Sequence, residues 1–101
     1  MEFVDISPYI KLVESFIDGK ISAKEYEKEF LDLRSKNLSL RFETEEEYFI
    51  IEKLFEDVDC FCADPSLRDE KYDIDEAELR EGCNAALPKL REALQKSRKK
   101  S

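Results

Sequence analysis

The chain has 101 residues, of which 42% are hydrophobic and 42% are charged, and its formal net charge is −8 at pH 7. This length predicts a single domain, 1–101, and the longest apolar run, of four residues, is far too short to span a membrane. Histidine, the commonest general base and metal ligand, is absent, and the two glycines form no phosphate-binding loop, so the composition is not that of a typical enzyme.

Two amphipathic helices are predicted in the first third of the chain. The first begins with Ser7 as its N-cap and Pro8 in its first helical position, and Gly19 ends it in a left-handed conformation. The second begins at a capping box over 22–25, in which a serine and a glutamate satisfy each other's backbone N–H groups, and fades near Lys36. The short loop between them favours an antiparallel pair.

A third helix follows a loop over 38–43, whose apolar side chains we expect to tuck under the bundle. A second capping box, over 44–47, begins the helix. Helical periodicity predicts a core stripe formed by Tyr48, Ile51, Leu54, Phe55 and Val58. A flanking stripe of carboxylates, at steps of seven, four and three residues, should line one side of the helix: Glu45, Glu52, Glu56 and Asp59.

The last helix follows an irregular stretch over 63–73 and begins at a third capping box, whose first residue is Asp75. Its inner face consists of Leu79, Cys83, Ala86, Leu87, Leu90 and Leu94. Pro88 lies inside this helix and should kink it, and the basic tail 95–101 should fray. These elements predict an all-α, single-domain, antiparallel four-helix bundle.

The aromatic residues of the third helix divide into two groups. Tyr48 and Phe55 lie on the apolar stripe, so core packing is favoured over a recognition site. Phe49 and Phe61 lie off that stripe. An exposed aromatic ring beside carboxylates is a good anchor for a protein interface.

Residues 43–81 are unusually acidic. Sixteen acidic and four basic side chains give this stretch a net charge of −12, which leaves about +4 for the rest of the chain. A folded surface with this charge repels nucleic acid and attracts a basic partner. Residues 64–76 lack the ligand pattern and the central glycine of an EF-hand, so calcium is not expected. The alternative is a solvated face that only keeps the protein soluble.

The cysteines and the first residues of the chain both predict a cytoplasmic protein. The spacing of the cysteines also predicts that no metal is bound. Cys60, Cys62 and Cys83 are an odd number, and Cys60 and Cys62 are too close together for a common zinc pair, so we expect reduced thiols. Glu2 and Asp5 stand where a secretory signal peptide would have positive residues.

Three segments resemble the colicin D immunity family and the immunity proteins of contact-dependent growth inhibition systems. They are FIDGKISAKEYEKEF over 16–30, EKLFEDVDCFCADP over 52–65 and YDIDEAELREGC over 72–83. Their shared order and spacing, over roughly residues 7–94, are more specific than any one of them. The resemblance implies a non-catalytic helical protein of bacteria that holds a toxin nuclease, often a tRNase, by an acidic surface. The basic tail, the Cys-x-Cys pair and a longer loop over 64–71 depart from the family pattern, which leaves the cognate toxin open.

Charge and resemblance together predict an immunity protein that covers the basic active site of a toxin nuclease. The residues expected to bind lysine and arginine of the toxin are Glu52, Glu56, Asp59, Asp64, Asp69, Glu70, Asp73 and Glu76. We expect no cofactor, no metal, no direct contact with nucleic acid or membrane, and a monomer before the toxin binds. Two alternatives are an acidic adaptor for a basic peptide or DNA-binding protein, and a carboxylate-dependent hydrolase, against which the absence of histidine counts.

Overall fold

A computed structural model describes residues 3–61, Ser66 and 74–99, and of residues 97–99 it describes only the backbone. In this part of the chain the regular elements are four helices, α1 (Ser7–Ile17), α2 (Ala23–Lys36), α3 (Glu45–Cys60) and α4 (Glu76–Lys99). α1 packs against α2 and α4, and α3 packs against the same two helices, so the four form a closed ring of neighbours. The predicted all-α four-helix bundle is confirmed.

Side-chain contacts show that neighbouring helices run antiparallel. Phe16, late in α1, stacks on Tyr26, early in α2, with ring centroids 4.7 Å apart. Tyr9 at the start of α1 meets Phe30 further along α2, at 5.4 Å. The pair formed by α3 and α4 has the same arrangement, since Lys96 near the end of α4 binds a carboxylate in the first turn of α3. The largest buried side chains are Tyr9, Phe16, Tyr26, Phe30, Ile51, Leu54, Leu79 and Leu90.

Three of the four predicted helix starts are made by the expected caps. The hydroxyl of Ser22 accepts a hydrogen bond from the backbone N–H of Glu25, whose carboxylate in turn accepts from Ser22. Thr44 caps α3 by accepting from the N–H of Glu47 at 3.1 Å, and Asp75 caps α4 by accepting from an N–H in its first turn at 2.9 Å. Each cap joins residues three apart in sequence, so its formation depends mainly on local residues and not on how the helices pack.

The start of α1 differs from its prediction by one residue. Ser7 is the first helical residue, and the N-cap, Ile6, has no side-chain cap bond. The carboxylate of Asp5 accepts from the N–H of Ser7 at 2.9 Å. The carboxylate of Asp5 thus satisfies one of the free N–H groups of the first turn, and Pro8, which has no N–H, leaves one fewer to satisfy. At the other end Gly19 is left-handed, with φ 76°, as predicted.

The predicted core stripe of α3 is wrong at one position. Tyr48 is 46% exposed, and its ring contacts Phe42 and Phe49 at the surface instead. Ile50, which the stripe left out, is buried. The reason is that α3 packs against both α2 and α4, which widens and rotates its buried face toward Ile50. Phe55 is half-buried against the core.

The loop between α2 and α3 covers the core only in part. Leu40 and Phe42 pack against the core, whereas Leu38, also expected to tuck under the bundle, is 68% exposed. Arg41 pairs with Phe3 in an isolated bridge, in which the N–H of Val4 donates to the carbonyl of Arg41 at 2.9 Å. This contact holds the beginning of the chain beside the loop.

α4 runs without interruption through Pro88 and ends at Lys99, inside the basic tail that the sequence predicts to fray. The kink expected at Pro88 stays a prediction. The predicted inner face is buried at Leu79, Cys83, Ala86 and Leu90, and its other two members, Leu87 and Leu94, are partly buried against the core. Ala93 is buried as well. Among the residues that the structure describes, no helix combines the length and hydropathy that a membrane span requires.

Candidate functional site

α3 brings three of the predicted binding carboxylates into one shallow groove on the surface. Because helical residues three, four and seven apart share a face, Glu52, Glu56 and Asp59 lie side by side as the stripe predicted. We call this depression the α3 groove, and it is lined by Phe49, Glu52, Lys53, Phe55, Glu56 and Asp59. Glu45, the fourth member of the stripe, is exposed and lines a neighbouring depression together with Glu52.

The three carboxylates of the α3 groove are not equally available to a partner. Glu52 is half-buried and forms an ion pair with Arg34 of α2, with Nη2 and Oε1 3.1 Å apart. The same guanidinium lies over the ring of Phe55, 3.7 Å from its centroid. A basic partner that bound Glu52 would have to compete with this arginine, so Glu52 contributes less free charge than the sequence suggested.

Glu56 and Asp59 are the accessible charges of the groove. Both are exposed, and neither forms an ion pair with any residue that the structure describes. Lys53, which also lines the groove, binds the carboxylate of Asp57 at 3.0 Å instead. This hydrogen bond raises the pKa of Lys53, and the negative charge of Glu56 nearby adds to the rise, so the lysine stays charged.

The remaining predicted carboxylates lie beyond α3. Glu76 is exposed and binds Arg80 one turn later, with Oε2 and Nε 3.2 Å apart. A backbone hydrogen bond of 2.9 Å from Ile74 to the carbonyl of Cys60 places the start of α4 beside the end of α3, so Glu76 lies at the same end of the bundle as Asp59. The other four, Asp64, Asp69, Glu70 and Asp73, lie outside the described residues.

The acidic surface is weaker than a net charge of −12 over 43–81 implies. Glu47 is only 2% exposed and Asp57 only 9%, so neither adds to a surface that a partner can reach. Glu46 is bound by Lys96, which comes from outside the acidic stretch. Asp57 faces Gly82 on α4, where a Cβ atom would collide with its carboxylate. The sequence held one signal for this burial, because Asp57 falls between the core residues at 54 and 58.

Sequence reasoning left the role of Phe49 undecided, and the structure places its ring at the surface. Phe49 is 65% exposed and forms one wall of the α3 groove. The ring of Phe49 also contacts that of Tyr48, with centroids 5.6 Å apart. On its other side it lines an apolar cleft between α3 and α4. Its position off the apolar stripe was the signal for exposure, but periodicity alone could not say that carboxylates would surround it.

The thiols and carboxylates do not assemble a metal site in the part of the chain described here. No three cysteine, aspartate or glutamate side chains of these residues meet in a way that would hold an ion. Cys60 is half-buried, Cys83 is buried, and neither forms a disulfide. Cys62 lies outside the described residues.

Cys83 is expected to be unreactive in the folded protein. Burial raises the pKa of its thiol to about 11, and it also raises the pKa of the neighbouring Tyr26. At pH 8 only about one molecule in a thousand would then carry the thiolate, which is the reactive form. Iodoacetamide followed by mass spectrometry should label Cys60 before Cys83 in the native protein, and both at similar rates in urea. Equal labelling rates without urea would show that Cys83 is accessible.

Comparison with known proteins adds one match. A family model described as "Bacterial self-protective colicin-like immunity" matches residues 4–90. No curated protein and no solved structure matches the chain significantly.

Proposed function

The chain belongs to the bacterial self-protective colicin-like immunity family, and from this premise we propose that it neutralises a nuclease toxin by covering the toxin's basic active site. Family membership makes it a protein that binds and inhibits a cognate toxin, and not an enzyme. The hydrolase alternative is thereby set aside. What the family leaves open is the activity of the toxin and the surface that binds it.

The observation that carries the proposal is the exposed pair Glu56 and Asp59, neither of which forms an ion pair with a described residue. A nuclease must attract phosphates, so its active site is lined with lysine and arginine. Carboxylates can accept charge-assisted hydrogen bonds from those same side chains. A protein that presents them on a rigid helix therefore competes with the nucleic acid for its binding groups.

The net charge of −8 supports the same proposal through the rate of association. An acidic protein is steered toward a basic cleft, and steering can raise association rates by roughly 10- to 1000-fold. Speed matters here because a nuclease that stays unbound damages the cell that made it. Because Glu52 and Glu76 are paired with arginines, Glu56 and Asp59 are the predicted binding carboxylates, among those that the structure describes, that form no ion pair.

Several finer parts of the proposal rest on the sequence and the family resemblance alone. The toxin is a tRNase of a colicin or of a contact-dependent growth inhibition system, and the complex forms in the bacterial cytoplasm. The protein is a monomer until it meets the toxin. Asp64, Asp69, Glu70 and Asp73 extend the binding surface, since they continue the acidic stretch between α3 and α4.

The test is an assay of nucleic acid cleavage by the cognate toxin domain, which is to be sought first in the reading frame directly upstream of this gene. One equivalent of the protein should stop cleavage of tRNA. Raising the salt concentration from about 50 to about 500 mM should lower the association rate constant at least about tenfold and change the dissociation rate much less, because salt screens steering between exposed charges. A toxin without nuclease activity would contradict the proposed target, and a salt-independent association rate would contradict the acidic surface.

A further inference from the structure

Three aromatic rings form a continuous row across the start of α3. The ring of Tyr48 meets that of Phe42, in the preceding loop, edge to face with centroids 5.9 Å apart, and it meets that of Phe49 in the same way at 5.6 Å. Tyr48 and Phe49 are exposed, and Phe42 is half-buried. Single exposed apolar side chains are common on soluble proteins, but a contiguous patch marks an interaction surface. We call this row the aromatic face.

The aromatic face ends at the apolar cleft between α3 and α4, which we call the α3–α4 cleft. Phe49 and Ile50 line it from α3, and Gly82, Ala85 and Ala86 line it from α4. Because α4 carries no large side chain at those three positions, the cleft has a volume of about 240 Å³. An apolar cavity of about 150 Å³ is enough to hold a benzene molecule, so one apolar side chain of a partner would fit the cleft.

The cleft adjoins the carboxylates of the proposed binding surface. Phe49 and Lys53 line both the α3–α4 cleft and the α3 groove. The α3 groove also holds Glu56 and Asp59, which are exposed and form no ion pair with a described residue. Specific protein interfaces combine an apolar centre with a polar rim. The cleft supplies the first and the groove the second, so one partner can cover both.

The charges beside the cleft select the kind of side chain that can enter it. Lys53 and Lys89 are exposed and line the cleft together with its apolar residues. Two ammonium groups repel a third cation, so lysine and arginine of a basic partner are directed to Glu56 and Asp59 and not into the cleft. The side chain that fills the cleft is therefore an uncharged, apolar one.

We infer that the aromatic face and the α3–α4 cleft form the apolar centre of the surface that binds the toxin, and that an apolar side chain of the toxin enters the cleft against the ring of Phe49. The inference rests on the proposed function for the toxin as occupant, but not on the toxin's being a nuclease. A second copy of this chain is a poorer occupant, because two identical chains of net charge −8 repel each other.

The apolar centre and the carboxylates should act on different steps of binding. Exposed carboxylates mainly accelerate association, and salt screens this effect, whereas desolvated apolar contacts at the centre of an interface mainly slow dissociation. Loss of the Phe49 ring should therefore raise the dissociation rate by a factor that does not depend on salt. Loss of charge at Glu56 should lower the association rate, and most strongly at low salt.

The first experiment removes the ring of Phe49. Phe49→Ala is compared with Leu31→Ala, since Leu31 is also an exposed apolar residue, at 41%, but lies on α2 and lines neither the cleft nor the α3 groove. Surface plasmon resonance measures binding to the toxin domain against which the protein protects cells. We expect Phe49→Ala to raise Kd at least about thirtyfold at both about 50 and about 500 mM salt, and Leu31→Ala to change Kd less than about threefold.

The second experiment blocks the cleft and keeps the ring. Ala85 is exposed and lines the cleft, so Ala85→Leu fills part of the cleft without altering the core. We expect this variant to raise Kd at least about tenfold through a steric clash with the toxin. Ala85→Ser, which leaves the cleft open, should stay within about threefold of the natural protein. All four variants should unfold in urea near the midpoint of the natural protein, which separates loss of binding from loss of folding.

The outcomes distinguish this inference from the proposed function. An unchanged Kd for Phe49→Ala, or unchanged or tighter binding by Ala85→Leu, would overturn the inference and leave the proposed function standing. A dimer in sedimentation velocity that Phe49→Ala dissociates would also overturn it, because the aromatic face would then belong to a second copy. A toxin that is bound but is not a nuclease would contradict the proposed target and leave the inference intact.

Discussion

Replacement of both Glu56 and Asp59 by lysine is expected to abolish protection against the toxin while leaving the helical circular dichroism spectrum unchanged. Both side chains are exposed and unpaired among the described residues, so the fold does not depend on their charge. The substitution turns the accessible part of the α3 groove from acidic to basic, and like charges across an interface cost several kcal/mol, about a thousandfold or more in affinity. Survival of cells that express the toxin measures the effect.

The chain offers a closely matched control on another helix. Glu29 and Asp32 on α2 are also a glutamate and an aspartate three residues apart, both exposed. Glu29→Lys with Asp32→Lys changes the net charge by the same amount, and it should protect cells nearly as well as the natural protein. Equal protection by the two double variants would show that the acidic stretch only keeps the protein soluble. Glu14 would be a poor control, because it is bound to Arg91 across α1 and α4.

The largest loss of stability is expected from Phe16→Ala. Phe16 is fully buried, stacks on Tyr26 and has the guanidinium of Arg80 above its ring. Truncation of a buried phenylalanine costs about 3–5 kcal/mol, because apolar contact is lost and a cavity remains. The whole free energy of unfolding of a domain of this size is about 5–15 kcal/mol. Urea denaturation followed by circular dichroism should therefore show a lower midpoint and a variant that is close to unfolding.

The same substitution at Phe49 is the control for this prediction. Phe49 is 65% exposed, so Phe49→Ala should change the free energy of unfolding by no more than about 1 kcal/mol. The pair would therefore separate a buried phenylalanine that stabilises the fold from an exposed one that contributes little to stability. Similar midpoints for the two variants would mean that the ring of Phe16 is not part of a close-packed core.

The helix boundaries could be predicted because the interactions that set them are local. Ser22 and Glu25 cap each other within one turn, and Asp75 caps α4 within three residues. Gly19 ends α1 because glycine, which has no Cβ atom, adopts the left-handed backbone conformation found there with the least steric strain. The one displaced start, at Ser7, shows the limit of the argument, since the carboxylate of Asp5 accepts from the N–H of Ser7, and Ser7 becomes the first helical residue instead of the cap.

The buried face of α3 could be predicted only in part, because two neighbouring helices share it. A single apolar stripe is the pattern of a helix packed on one side, and it assigned Tyr48 to the core. Contact with both α2 and α4 buries Ile50 and leaves Tyr48 at the surface. Which side of an aromatic-rich helix faces inward is therefore decided by its neighbours.

The sequence by itself determined that this is a small, acidic, four-helix protein, because charge is additive. It also determined where three of the four helices begin, because their caps are local. Only the tertiary structure decided which carboxylates a partner can reach. Arg34 neutralises Glu52 from 18 residues away, and Asp57 is buried against Gly82 of α4, 25 residues later. Such pairings depend on how helices meet. The spacing within α3 placed Asp57 beside core positions, but nothing in it indicated that an arginine of α2 would reach Glu52.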